Sequence, residues 1–125
     1  IPHGLGNAIV LPKVLAYSQG PARSRLAQLA VETGLGEASD DEAALAQAFV
    51  DHIVALNRRL GIPATVTELR DEDIPQIAQG ALHEALLNYP VPRHMGRRDC
   101  EQLLQSLQGS PVAVEEEIDL ELQAA

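Results

Sequence analysis

The chain has 125 residues and a formal charge of −9; 46% of its residues are hydrophobic, but only 2% are aromatic. This length suits about one domain with a modest hydrophobic core. With so few aromatic residues, the core must consist of Leu, Ile, Val and Ala, a mixture that favours packed helices over a β-sandwich. The negative charge argues against nucleic acid as a partner.

Cys100 is the single cysteine of the chain, so an internal disulfide is excluded and a reducing compartment, the cytoplasm, is expected. No apolar run approaches the roughly 20 residues that span a bilayer, so we expect no membrane partner. The first residues, IPHGLGNAIVLP, have no basic region before the apolar stretch, so we do not expect them to be a signal peptide. They also lack an initiator Met, and we expect the chain to begin inside a longer polypeptide.

The spacing of apolar residues predicts a first helix over residues 4 to 18, with a kink at Pro12. Gly20 and Pro21 separate it from a second helix that ends at Gly34. The inner face of the second helix is predicted to contain Leu26, Leu29, Ala30 and Thr33.

A third helix is predicted from the capping box formed by Ser39 and Glu42, and it ends at Gly61 and Pro63. Its apolar residues recur at steps of three and four, as expected for a helix with one buried face: Leu45, Phe49, Ile53, Leu56 and Leu60.

Asp73 and Gln76 form a second possible capping box, with Pro75 in the first turn of a fourth helix. This helix is predicted to have one continuous apolar stripe: Ile74, Ile77, Ala78, Ala81, Leu82, Ala85 and Leu86. A last helix is predicted over residues 97 to 108, with four buried residues: Cys100, Leu103, Leu104 and Leu107.

The fold class is therefore all-α, an array of about five to six helices over residues 1–108. Residues 109–125 differ in character, because five acidic residues occur there without a basic one. Apolar and acidic residues alternate between Ile118 and Leu122, which would also suit a short strand. We expect a flexible acidic tail.

No glycine-rich phosphate loop or paired-cysteine zinc motif occurs, which leaves the four histidines as candidates for chemistry. His52 and His83 lie within predicted helices and are expected at the surface or its boundary. Nothing distinguishes His94, and Cys100 is expected to be a buried, inert thiol. His3 stands at a helix start beside glycines that would let a ligand approach closely, yet spacing alone favours a structural role for it.

The segment PHGLGNAIVLPKVL, residues 2–15, resembles the part of iron-dependent (group III) alcohol dehydrogenases in which a histidine before glycine binds the catalytic metal. Three later stretches are similar to the family in the same order: RLGIPATVTEL, DEDIPQIAQGAL and VPRHMGRRDCEQLL. Val91 and Gly96 depart from the family pattern, in which Asn commonly precedes Pro-Arg and Thr or Ser often begins the last helix.

The resemblance implies the C-terminal helical domain of the dehydroquinate synthase-like type. It implies His3 as a metal ligand, Asn7 as a residue supporting that ligand, iron(II) or zinc and NAD(P) as cofactors, and a small alcohol or aldehyde as substrate. The other ligands and the nucleotide-binding domain precede this segment in the family, so His3 is the one ligand that carries over. Because one imidazole cannot hold the ion against water, we expect this chain alone to be inactive and to lack tightly bound metal.

Two alternatives stay open. The chain could be a self-contained small helical module with an interaction or structural role, descended from that domain, or it could belong with glycerol dehydrogenases and maleylacetate reductases, which share the architecture. The helix around Ile9–Leu15 is apolar almost all round, so we also expect a homodimer or aggregation through its uncovered face.

Overall fold

The computed structural model describes residues 1–88 and 90–109, and its α-helices confirm the all-α prediction. Within these residues, an isolated parallel bridge between Val66 and Gln108 is the only β-structure. The helices are α1 (His3–Tyr17), α2 (Arg23–Glu32), α3 (Glu42–Arg59), α4 (Ile74–Asn88) and α5 (Arg97–Ser106), and a 3-10 turn, Asp71–Asp73, leads into α4. The described chain divides into one unit of residues 1–64 and 90–94 and a second of residues 65–88 and 95–109.

The core of the first unit lies between α2 and α3. Small residues allow the two helices to approach closely, because Ala30 and Ala46 are completely buried. Phe49 packs against both buried clusters of this core, and Leu15 of α1 packs against one of them. The prediction that Leu29 faces inward is wrong: its side chain is 41% exposed, since the buried face of α2 runs through Leu26, Ala27 and Ala30.

Glycines end α2 and α3 in the same way. Gly34 has φ +80° and Gly61 has φ +73°, values that L side chains rarely adopt. After α2, the amides of Gly34 and Leu35 donate to carbonyls in the last turn of the helix. After α3, the amides of Gly61 and Ile62 make the same two hydrogen bonds. Both ends are thus Schellman motifs, and the predicted stops at these glycines are confirmed.

The start of α3 differs from the prediction. Asp41, not Ser39, is the N-cap: its Oδ2 accepts a hydrogen bond of 3.0 Å from the amide of Ala44. Glu42 is then the first helical residue, where it interacts favourably with the helix dipole and accepts from the Ser24 hydroxyl. The predicted Ser39–Glu42 capping box is therefore wrong, because the helix begins two residues later than that box requires.

The second unit contains α4 and α5, and backbone hydrogen bonds join its two ends. Val66 donates to the Leu107 carbonyl and accepts from the Gly109 amide. The Gln108 side chain donates to Asp71 Oδ1 at 2.7 Å, which ties the end of α5 to the start of the 3-10 turn. Cys100 and Leu107 are buried as predicted.

The apolar stripe of α4 is only partly buried. Ile74 and Ala78 are buried, whereas Leu86 is 78% exposed and Leu87 is 66% exposed. The stripe predicted as continuous is thus interrupted: Ile77, near the start of the helix, is also 42% exposed, and Leu86 at its end is largely open.

In α1, by contrast, Ile9 is buried, and Leu11 and Val14 are about two-fifths exposed, at 43% and 40%. The helix expected to be uncovered therefore buries part of its apolar surface in the first unit. Self-association through the remainder stays a prediction.

The predicted tail, apart from Gly109, lies outside the described residues. Among the helices of residues 1–88 and 90–109, none has the length and hydropathy needed to cross a membrane.

Candidate functional site

His3 is the first residue of α1, and its side chain is exposed. Pro2 precedes the helix at φ −56° and ψ 141°, an extended conformation that suits the residue before a helix begins. The helix has no acidic residue in its first turn. A Cβ placed on Gly4 or on Gly6 would meet no heavy atom within 4 Å, so both glycines near His3 in the first turns of α1 face open space. The structure therefore leaves His3 accessible to a ligand from outside the described residues.

Asn7 lies one turn after His3, and the two side chains are in contact. Asn7 Nδ2 and His3 Nε2 are 3.2 Å apart, a separation that joins residues i and i+4 on one face of α1. A neutral imidazole offers one nitrogen lone pair, and when Nδ1 carries the ring proton, Nε2 uses that lone pair to accept from the Asn7 amide. If the Asn7 amide turns over, its oxygen can accept from Nε2–H instead, and the lone pair is then on Nδ1. The orientation of the Asn7 amide therefore decides whether His3 has a lone pair free for a metal ion: none while Nε2 accepts from the amide, and that of Nδ1 when Nε2–H donates to it.

The described residues do not contain a complete metal site. No group of three or more His, Cys, Asp or Glu side chains within residues 1–88 and 90–109 is arranged to hold a metal ion. His52 is half-buried in α3, while His83 on α4 and His94 after it are exposed. His3 thus fits as a single donor to an ion, and the described residues do not group around it the three or four ligands that iron or zinc requires.

Cys100 is buried in α5, as predicted. Burial raises the pKa of its thiol, and the nearby Glu101 carboxylate raises the pKa further. Both effects keep the sulfur protonated near neutral pH, whereas a nucleophilic or metal-binding cysteine needs the thiolate. The structure supports an inert thiol.

A polar cluster at the other end of α1 was not anticipated from the sequence. The Arg93 guanidinium lies 4.2 Å from the centroid of the Tyr17 ring, and its Nη1 donates to the Tyr17 carbonyl at 3.2 Å. The Tyr17 hydroxyl donates to the His94 carbonyl at 3.0 Å. These contacts fix the segment around Arg93 to the last turn of α1, so the backbone of His94, rather than its imidazole, has the structural role.

The comparison with known proteins agrees with this architecture. The sequence matches the Fe-containing alcohol dehydrogenase family, C-terminal part, over residues 1–108, and the chain belongs to that family. It is 35% identical over 85 residues to a lactaldehyde reductase of Escherichia coli, and this aligned region covers 66% of this chain and 22% of the relative. It is 30% identical over 115 residues to the 1-propanol dehydrogenase PduQ of Salmonella typhimurium, covering 86% of this chain and 31% of the relative.

Alcohol dehydrogenase 4 of Saccharomyces cerevisiae is 35% identical over 96 residues, covering 73% of this chain and 24% of the relative. The chain thus spans between about a fifth and a third of the length of these relatives, from 22% to 31%.

Proposed function

We propose that this chain is the metal-carrying helical part of an NAD(P)-dependent alcohol dehydrogenase and that His3 is one ligand of its iron. The exposed imidazole at the start of α1, next to glycines that face open space, is the observation that carries the proposal. Membership in the Fe-containing family supports iron as the ion, and zinc has no such support. The remaining ligands and the nucleotide-binding domain would lie in polypeptide outside these residues.

The proposed chemistry of the complete enzyme rests on membership in the Fe-containing family. A bound ferrous ion would polarise the alcohol oxygen and favour its deprotonation, so that a hydride could pass to the nicotinamide. The part of this chain is to supply a neutral imidazole lone pair from a helix end, with Asn7 holding the ring. The names of the relatives suggest small alcohols and aldehydes as the substrate class. The cytoplasm is the proposed location, since the only cysteine is a buried free thiol.

The test uses the native polypeptide that contains these residues, purified from its natural source. The mass of this polypeptide is measured first. A mass well above the 13.4 kDa of the 125 residues is expected. In that protein, His3→Ala should lower iron occupancy and alcohol oxidation together. His83→Ala is the matched control, because this histidine is also exposed and helical.

Two results would overturn the proposal. Full iron occupancy in His3→Ala would exclude the ligand role. A native protein of 13.4 kDa that works without a cofactor domain would favour the alternative, a self-contained helical module with an interaction or structural role.

A further inference from the structure

Pro12 interrupts the hydrogen bonding of α1 at a defined point. Proline has no amide hydrogen, so residue 12 cannot donate to the carbonyl four residues earlier, which belongs to Ala8. The Ala8 carbonyl accepts instead from the side chain of Asn57, whose Nδ2 lies 2.9 Å away in a partly buried contact. A side chain from α3, 49 residues away in sequence, thus takes the place of a missing helical donor.

Asn57 is itself firmly placed. It lies in the last turn of α3, and its own carbonyl accepts from the Ile62 amide at 2.9 Å in the Schellman motif that Gly61 makes possible. Its side chain is half-buried. The donor that reaches α1 therefore belongs to a helix that is anchored in the core of the first unit through Ala46 and Val50.

The distance from this contact to the start of α1 makes it important for His3. At about 1.5 Å per residue, His3 lies about 13 Å along the helix axis from Pro12. Because Pro12 removes one helical hydrogen bond, α1 can bend there, and a bend of about 20° would move His3 by about 5 Å. Metal–ligand distances tolerate only about 0.2 Å, so a site that includes His3 needs the direction of α1 to be fixed at Pro12.

We propose that Asn57 is a positioning residue: its amide replaces the hydrogen bond that Pro12 removes and so fixes the half of α1 that carries His3. The contact between Asn57 and Ala8 is independent of any metal. Its consequence for iron rests on the proposed ligand role of His3.

A double-mutant cycle between positions 57 and 12 tests the replacement in the 125-residue chain. Asn57→Leu leaves the Ala8 carbonyl without this donor, and hydrogen-exchange protection of the amides of residues 7–11 should fall about tenfold. Pro12→Ala restores a backbone donor to Ala8, so in that background the same Asn57→Leu change should have less than about a twofold effect. An equal loss in both backgrounds would overturn the proposal.

Two further variants separate the hydrogen bond from general packing. Asn57→Asp keeps the size and shape of the side chain but cannot donate while ionised, so it should lose protection as Asn57→Leu does. Asn88→Leu is the matched control, because the Asn88 amide donates to the Glu84 carbonyl of its own helix at 3.0 Å. Loss of α1 protection in Asn88→Leu, or full protection in Asn57→Asp, would count against the proposed role.

Iron binding is then measured in the natural polypeptide by competition with a chelator. Asn57→Leu should weaken iron binding about tenfold, and adding Pro12→Ala should restore most of the affinity. Unchanged iron affinity in Asn57→Leu, where His3→Ala loses iron, would overturn the positioning role. Iron retained in His3→Ala would overturn the ligand assignment instead, while the exchange cycle would still report on Asn57 and Pro12.

Discussion

Replacing Arg93 should release the segment that this residue fixes to α1. The guanidinium over the Tyr17 ring is an exposed cation–π contact, for which about 0.5–1 kcal/mol is usual. Its hydrogen bond to the Tyr17 carbonyl adds about 0.5–1.5 kcal/mol. Because both contacts lie at the surface, we expect Arg93→Ala to lower the free energy of unfolding by about 1–2 kcal/mol. Arg93→Lys should recover less than half of the stability lost in Arg93→Ala, since an ammonium group lacks the planar guanidinium that stacks on the Tyr17 ring.

The assay is urea denaturation followed by circular dichroism, with Tyr17→Leu and the double variant completing a cycle. We expect a coupling energy of about 0.5–1 kcal/mol between the two side chains. Arg25→Ala is the matched control, an exposed arginine on α2 that should change stability by less than about 0.5 kcal/mol. Additive effects of the Arg93 and Tyr17 changes would refute the reasoning, because independent side chains would then account for both losses.

Three further predictions concern the cap of α3, the buried thiol and the support of His3. Asp41→Ala should destabilise the chain by about 1 kcal/mol in the same urea assay. Asp41→Asn should retain most of this stability, because asparagine is also a good N-cap residue. An equal loss of stability in both variants would contradict the capping role of Asp41. Because the pKa of the Cys100 thiol is raised in the folded chain, the thiol of the unfolded chain loses its proton at lower pH. The free energy of unfolding should therefore fall as the pH rises above the ordinary thiol pKa. The same fall with pH in Cys100→Ala would refute this prediction. With the Asn7 amide oxygen accepting from Nε2–H, the lone pair on Nδ1 is free for iron, so Asn7→Ala should weaken iron binding about tenfold; unchanged or tighter binding would contradict the supporting role of Asn7.

The helices were predictable because their signals are local. Apolar spacing gave the helices, and Gly34 and Gly61 gave the ends of two of them, since a positive φ strongly favours glycine. The cap of α3 was misplaced because Ser39 and Asp41 are both good cap residues, and only the backbone geometry decides which one accepts from the Ala44 amide.

The contacts that position α1 were not predictable from local patterns. Asn57 and Ala8 are 49 residues apart, and Arg93 and Tyr17 are 76 apart, so no periodicity links them. Pro12 gave one usable signal: a proline inside a helix leaves a carbonyl that needs another donor. The proposal that His3 is a metal ligand comes from resemblance alone, because its spacing relative to other potential ligands in the sequence indicates no metal site.

The pairing of Pro12 with Asn57 also constrains the order in which these positions can change over time. Losing the Asn57 amide first leaves a partly buried carbonyl poorly satisfied, whereas losing the proline first makes the amide dispensable. Descendants of this sequence should therefore reach a non-donor at position 57 mainly through an intermediate that has already replaced Pro12. A collection of such descendants should show varied residues at position 57 beside a non-proline, and few non-donors beside a retained proline.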